Sequence, residues 1–361
     1  MALLSLCAPS DGLTGPYREA EKEPWSFGLN AYYGALFVYR VGMPILHFSH
    51  PYSVELYANR HTIGKRPWER RFRHPQIGFA FSHYLYGVPD ELGGAYALTS
   101  YLDNLVTQSS KGSLRFSIGT GLVYSTRYYI PEVNEGNMAI GSRYCFALRG
   151  NLRYEAQLSE KLFLNLNLAF RHFSNGSLNR PNNGMNFPLV GLGIRYQPKE
   201  IRFLPVQDTL ACFNRKFHLN LKLSTGRKEV LRIDEKHPVH SLSFYASRRL
   251  SPISAVMVGA DAFHDSALRH EFRNKHLTPP EGVLDPRLVG VTLGHELYLG
   301  KMSFVFQYGR YIYKPYPEIF KENYQRYGLK YLVARHLSAS AMLLAHSGTA
   351  NVIEWGMGVH L

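Results

Sequence analysis

The chain has 361 residues, of which 19% are charged and 14% are aromatic, with 25 tyrosines and 21 phenylalanines. This is low in charge and rich in aromatic residues for a water-soluble protein of this length, and no apolar run reaches the ~18 residues of a membrane-spanning helix. The net charge of +14 favours a phosphate- or carboxylate-rich partner. Because no nucleic-acid-binding motif occurs, we expect anionic lipid head groups rather than nucleic acid.

The first 24 residues are predicted to be a leader, the remnant of a signal segment that precedes the fold. Residues 2–7 form a short apolar stretch that lacks the basic flank of a secretory signal. The three cysteines, Cys7, Cys145 and Cys212, are widely spaced and give neither a disulfide framework nor a metal-ligand pattern. Cys145 alternates in phase with polar residues and is expected to point inward. Since no His, Asp and Glu cluster has ligand spacing either, we expect no metal and no cofactor.

From residue 25 onward, short runs alternate apolar residues with small or polar ones, which is typical of a β-strand with one apolar face. In the first half, such runs lie near residues 27–37, 52–62, 77–85, 94–108, 112–126, 141–157, 162–172 and 186–196. In the second half, they lie near residues 217–223, 238–249, 252–264, 286–298, 301–313, 323–335, 338–346 and 350–361.

These runs predict a membrane β-barrel. Many have about the 9–11 residues of a tilted membrane strand, and long connectors mostly alternate with tight ones, as in outer-membrane barrels. Polar residues recur on the face opposite the apolar one, which disfavours a soluble sandwich or propeller. The sequence therefore predicts an all-β fold, a transmembrane antiparallel β-barrel of about 12–16 strands, most simply 14–16, in a single domain over residues 25–361. The connectors 63–74 and 197–215 interrupt the alternation of loop lengths.

The strand at residues 162–172 carries the candidate chemistry. Its apolar face is formed by Leu162, Leu164, Leu166, Leu168 and Phe170. By the same parity, His172 and Ser174 lie on that apolar face, close to the loop before the next strand. Residues i and i+2 of a strand are about 6.5–7 Å apart, so the imidazole can reach the hydroxyl.

His172 can act as a general base that activates Ser174 for attack on an ester carbonyl. The oxyanion so formed needs fixed donors, for which Asn175 and the amides around Gly176 are candidates. Asn186, at the start of the return strand, is placed to orient the imidazole. His-x-Ser by itself occurs four times in the chain, and Ser-Asn-Gly is also an ordinary turn sequence, so a purely structural role stays open.

The segment His172-Phe173-Ser174-Asn175, followed by Pro181-Asn182-x-Gly184 and a strand, resembles the active site of PagL-type lipid A 3-O-deacylases, also grouped as acyloxyacyl hydrolases. The resemblance is specific over residues 165–196, and the tail 324–361 is similar to longer relatives. It implies an outer-membrane barrel that hydrolyses an acyl ester of lipid A without a metal, by a His-Ser pair that faces the lipid. It also implies that Ser174 is the nucleophile, His172 the base and Asn175 an oxyanion-hole donor.

Two features depart from this family. The chain is too long for the eight strands of short members, and the acidic triad member is replaced by Asn186. A carboxamide can orient imidazole but supplies no negative charge. A reduced activity, an acid from a neighbouring strand and a lost activity are therefore all open.

The sequence thus predicts an outer-membrane serine esterase of a Gram-negative bacterium that removes an ester-linked acyl chain from lipid A or a related glycolipid. Its expected partners are lipopolysaccharide and outer-membrane lipids. The alternative is a non-catalytic barrel, either a pore or a degenerate esterase, and a soluble lipid-binding β-protein is a more distant one. The acyl position, the chain length and the oligomeric state are not determined by the sequence.

Overall fold

The structure is a computed structural model that describes residues 22–37, 49–204, 213–230 and 235–361. In this part of the chain, sixteen antiparallel strands are accompanied by two short helices, which confirms the all-β barrel prediction. Most of the predicted leader, residues 1–21, lies outside the described residues, as do Cys7 and Cys212. No described helix is both long and apolar enough to cross a membrane.

The first eight strands form one closed barrel, in which each strand pairs with the next and the last pairs with the first. The strands are β1 (Trp25–Gly34), β2 (Tyr52–His61), β3 (Gln76–Leu85), β4 (Gly94–Ser109), β5 (Gly112–Ser125), β6 (Tyr144–Gln157), β7 (Leu162–Ser174) and β8 (Met185–Tyr196). Helix α1 (Pro67–Arg71) lies between β2 and β3. The ring closes through antiparallel pairs such as Leu29 with Ile194.

The second eight strands form another closed barrel. They are β9 (Phe217–Glu229), β10 (Lys236–Ser251), β11 (Ser254–Asp265), β12 (Arg287–Leu299), β13 (Met302–Tyr313), β14 (Asn323–Ala334), β15 (Leu337–His346) and β16 (Thr349–His360), with helix α2 (Leu268–Asn274) after β11. This ring closes through β16 and β9, for example by the pairing of Trp355 with Thr225.

The strand pairing corrects the expectation of one ring over residues 25–361. β8 returns to β1 instead of pairing with β9, so the sixteen strands divide into two rings of eight. The alternation within a strand is the same in either arrangement, because it records which face is buried and not which strand is the partner. The connector 197–215, which interrupts the alternation of loop lengths, is the link between the two barrels.

Ion pairs fill the interior of both barrels. In the first barrel, the buried Glu55 lies 3.2 Å from Arg149 and 3.5 Å from Arg171. In the second, Arg326 lies 3.0 Å from Asp261 and 2.7 Å from Glu354. An eight-stranded barrel has an interior just wide enough for side chains, and charges in it must be paired because burying a lone charge is costly. A cavity of about 10 Å³ beside Lys222 and Tyr245 in the second barrel has room for about one water molecule.

The apolar side chains of the alternation point outward. On β7 the exposed set is Leu162, Leu164, Leu166, Leu168 and Phe170, and on β9 it is Phe217, Leu219, Leu221 and Leu223. The intervening Asn165 and Asn167 are fully buried, and Cys145 also points inward as expected. An apolar outer face over a polar interior is the pattern of membrane barrels.

Candidate active site

The end of β7 sets the orientation of the two candidate side chains. Phe173 points inward, is 0% exposed and packs edge-on against Tyr84 and Phe187, with ring centroids at 5.2 and 4.9 Å. Since neighbouring residues of a strand point to opposite faces, this anchor turns His172 and Ser174 to the outer face. Both are half-buried, whereas Phe170, two residues earlier on that face, is exposed.

Asn186 of β8 lies directly opposite His172 in the sheet. Its Oδ1 atom is 2.6 Å from Nδ1 of the imidazole. Because a carboxamide oxygen only accepts hydrogen bonds, Nδ1 carries the proton and Nε2 keeps its lone pair. The structure therefore brings these two predicted residues together, in the tautomer that a general base requires.

Two N–H groups from the loop between β7 and β8 contact Ser174. The backbone N–H of Gly176 donates to Ser174 Oγ at 3.2 Å, and Nδ2 of Asn182 donates to the same atom at 2.9 Å. Gly176 has a φ of +66°, which is the left-handed region that favours glycine. Ser174 thus accepts hydrogen bonds from one donor that the sequence predicted, Gly176, and from one that it did not, Asn182.

The side chain of Asn175, another predicted donor, is directed elsewhere. Its Nδ2 atom donates to Ser142 Oγ and to the backbone carbonyl of Asn179, both at 3.0 Å. Its backbone N–H donates to Oδ1 of Asn182 at 3.1 Å. Asn175 therefore holds the loop together and fixes the carboxamide that contacts Ser174.

The same loop rests on the second barrel. Ser177 Oγ donates to the carbonyl of Ala350 at 2.7 Å, and the N–H of Glu229 donates to the carbonyl of Ser177 at 3.0 Å. Arg180 Nε donates to the carbonyl of Glu229 at 3.2 Å. Two loop residues are therefore anchored where β9 ends and β16 begins.

One group of potential metal ligands occurs among the described residues. Its members are Glu235, His237 and His270, whose ligand atoms lie within 4.8 Å of one another. Burial and the neighbouring His237 lower the pKa of His270, which favours the neutral imidazole that binds metals. The sequence did not reveal this group because His270 lies in α2, far along the chain from Glu235. It belongs to the second barrel and shares no residue with the surroundings of Ser174.

Two family models match the chain. The model described as lipid A 3-O-deacylase (PagL) matches residues 52–195, and the model described as the C-terminal domain of acyloxyacyl hydrolase matches residues 217–361. The chain belongs to the PagL family of acyloxyacyl hydrolases. The gap between the two matches falls in the link from β8 to β9, so one model covers β2 to β8 of the first barrel and the other covers the second barrel of this PagL-family chain. The family and the barrel fold point to the outer membrane of a Gram-negative bacterium.

Solved outer-membrane proteins are similar to parts of this PagL-family chain. The outer membrane enzyme PagL is 15% identical, over 46% of this chain and 97% of that chain, with a TM-score of 0.35. Neisserial surface protein A is 9% identical, over 48% and 96% of the two chains, with a TM-score of 0.35. Outer membrane protein Omp33 of Acinetobacter baumannii is 6% identical, over 94% and 99%, with a TM-score of 0.18. The search of curated proteins gives no match.

Proposed function

We propose that this chain is an outer-membrane serine esterase that removes an ester-linked acyl chain from lipid A or a related glycolipid. The observation that carries the proposal is an outward-facing hydroxyl that accepts from two N–H donors and shares its face of β7 with an imidazole two residues earlier. Nδ1 of that imidazole, on His172, is held by Asn186 at 2.6 Å, and the hydroxyl of Ser174 accepts from Gly176 and Asn182. Membership of the PagL family supports the substrate class.

In the proposed reaction, Nε2 of His172 takes the proton of Ser174 Oγ as this oxygen attacks the ester carbonyl carbon. The carbonyl oxygen becomes an oxyanion, and the N–H groups of Gly176 and Asn182 stabilise it. His172 then passes its proton to the departing glycolipid alcohol. Water attacks the acyl-enzyme with His172 again as the base, which releases a fatty acid and restores Ser174.

The surroundings of Ser174 suit a lipid substrate. The exposed side chains on the same face of β7 are leucines and a phenylalanine. Contact with such apolar surfaces is favourable for acyl chains because it removes apolar area from water. The net charge of +14 favours anionic head groups at the membrane surface. The proposed site therefore faces the lipid, and the glycolipid reaches it without leaving the membrane.

Mass spectrometry of lipid A from cells that express the chain tests this proposal. The wild type is expected to remove one acyl chain, and Ser174→Ala is expected to remove none. Ser266→Ala is the matched control, because Ser266 belongs to another His-x-Ser sequence and its hydroxyl donates to the carbonyl of Pro238. Retained deacylation in Ser174→Ala, with the barrels folded, would exclude Ser174 as the nucleophile.

The second candidate is a degenerate esterase without activity, and the carboxamide of Asn186 in place of a carboxylate favours it. A folded wild-type chain that leaves lipid A and other acyl glycolipids intact would support this candidate. The pore version of a non-catalytic barrel is disfavoured by the ion pairs that fill the two interiors. Planar-bilayer conductance of the wild type would overturn that judgement.

A further inference from the structure

We propose that the second barrel is part of the active site, because it holds the N–H of Gly176 in position toward Ser174. This inference rests on the proposed esterase function. It assigns Ile353 of β16 as a positioning residue that acts through the loop backbone and does not touch the reacting atoms.

Gly176 and Ile353 are in close contact. A Cβ atom placed on Gly176 would lie 2.4 Å from Cδ1 and 2.6 Å from Cγ1 of Ile353. The isoleucine side chain therefore packs directly against the backbone of the residue that donates to Ser174 Oγ. Glycine at this position satisfies both the positive φ and the close approach of the second barrel.

Hydrogen bonds between the same loop and the second barrel flank this contact. Ser177, next to Gly176, both donates to the carbonyl of Ala350 and accepts from the N–H of Glu229. Arg180 donates to the carbonyl of Glu229. Three hydrogen bonds and one apolar contact thus fix the loop on its far side from β7.

Ile353 is less exposed than its neighbours on the outer face of β16. Trp355 and Met357 lie on the same outer face of β16 and are 58% and 51% exposed, whereas Ile353 is half-buried. Alternation along the strand alone would leave Ile353 as exposed as these two neighbours. Its lower exposure is therefore due to the loop of the first barrel. Met357 consequently offers a matched control at the same face of the same strand.

The functional consequence follows from the geometry that an oxyanion hole requires. Donors must be held rigidly, and a displacement of about 1 Å at a reacting centre costs on the order of 10²-fold in rate. A loop at the end of a lone barrel is a mobile surface segment. The second barrel replaces that freedom by a packed support, so its loss should lower kcat much more than it changes KM.

The test compares full-length Ile353→Ala and Met357→Ala with the wild type, by the rate of fatty-acid release from lipid A in mixed micelles. We expect Ile353→Ala to lose roughly 10- to 100-fold in kcat with little change in KM, and Met357→Ala to match the wild type. Ser177→Ala, which removes one loop anchor while leaving β16 unchanged, should lower kcat in the same way. Heat-modifiable migration on gels checks that each variant contains folded barrels.

A double-mutant cycle between Gly176→Ala and Ile353→Ala adds a second measurement, the combined loss in kcat. A purely structural role of Ile353 would leave this coupling unchanged. If the two residues press on each other, the fold-losses in kcat will not multiply, because removing the isoleucine relieves the clash with the new methyl group. The inference would be overturned if folded Ile353→Ala and Ser177→Ala both had the wild-type kcat. It would also be overturned if the losses in kcat of Gly176→Ala and Ile353→Ala multiplied in the double mutant. An inactive wild type would instead refute the proposed function itself, so the two failures are distinguishable.

Discussion

Asn186 is the residue at which this chain departs most from a serine triad. Its oxygen lies 2.6 Å from Nδ1 of His172 and can accept only, which favours the tautomer in which Nε2 is free for its proposed role as the base. The carboxamide nevertheless leaves the imidazolium that forms during attack without a countercharge. Asn186 therefore orients the imidazole of His172 but does not stabilise the positive charge of the imidazolium.

Asn186→Asp is expected to raise kcat, because it places a carboxylate where the carboxamide now orients His172. The upper limit is about 10⁴-fold, which is the order of the loss when a triad carboxylate becomes a carboxamide. Initial rates of fatty-acid release measure the effect, with Asn186→Leu as the control that removes the acceptor and should lower kcat. An unchanged or lower rate in a folded Asn186→Asp variant would show that the charge is supplied elsewhere.

Asn182→Ala is expected to lower kcat by about 10²–10³-fold with a small effect on KM, because it removes a proposed donor to the oxyanion. The control is Asn179→Ala, in the same loop, which keeps the backbone carbonyl that accepts from Asn175. Steady-state kinetics on micellar lipid A separate the two constants. Equal rates for the Asn182 and Asn179 variants would remove Asn182 from the oxyanion hole.

At the scale of elements, the alternation within each run predicted all sixteen strands and the outer face of His172 and Ser174, because burial in a strand has a period of two. It did not predict the division into two rings, since pairing of β8 with β1 connects residues far apart in sequence. It also did not single out Asn182, because the direction of a loop carboxamide depends on partners such as the N–H of Asn175. Local burial is thus readable from sequence, whereas long-range pairing and loop contacts are not.

The interior of the first barrel yields a stability prediction. Glu55→Ala leaves Arg149 and Arg171 without their buried partner, and breaking a buried pair in this way costs about 3–5 kcal/mol. Glu200→Ala is the control, since its pair with Arg202 is on the surface and such pairs contribute at most about 1 kcal/mol. Denaturant unfolding in detergent micelles gives the free energies, and equal stabilities of the two variants would contradict the expected role of the interior network.

At the scale of the whole molecule, the group of potential metal ligands and the surroundings of Ser174 lie in different barrels. Glu235, His237 and His270 group near the start of β10 and in α2, whereas the donors around Ser174 are protein N–H groups on the loop of the first barrel. The proposed hydrolysis draws on the second barrel for support of that loop and not for metal ligands.

Removal of divalent metal ions is therefore expected to leave deacylation unchanged. Purified protein and lipid A in neutral detergent should give the same kcat with and without EDTA, and His270→Ala should match the wild type. Detergent micelles are needed because chelators also remove the cations that bridge lipopolysaccharide in membranes. A loss of kcat that returns on addition of a metal ion would contradict the proposed metal-independent reaction.

In the proposed reaction, the outward orientation of Ser174 also determines how enzyme and substrate meet. Both are confined to one surface, so encounters occur by lateral diffusion in two dimensions, and the relevant concentration is the mole fraction of glycolipid in that surface. Dilution of the glycolipid with inert detergent should slow turnover, whereas dilution of the whole suspension with buffer should not. Deacylated glycolipid would stay in the same surface and compete for the same hydroxyl, so we expect the proposed reaction to be inhibited by its own product as the surface is converted.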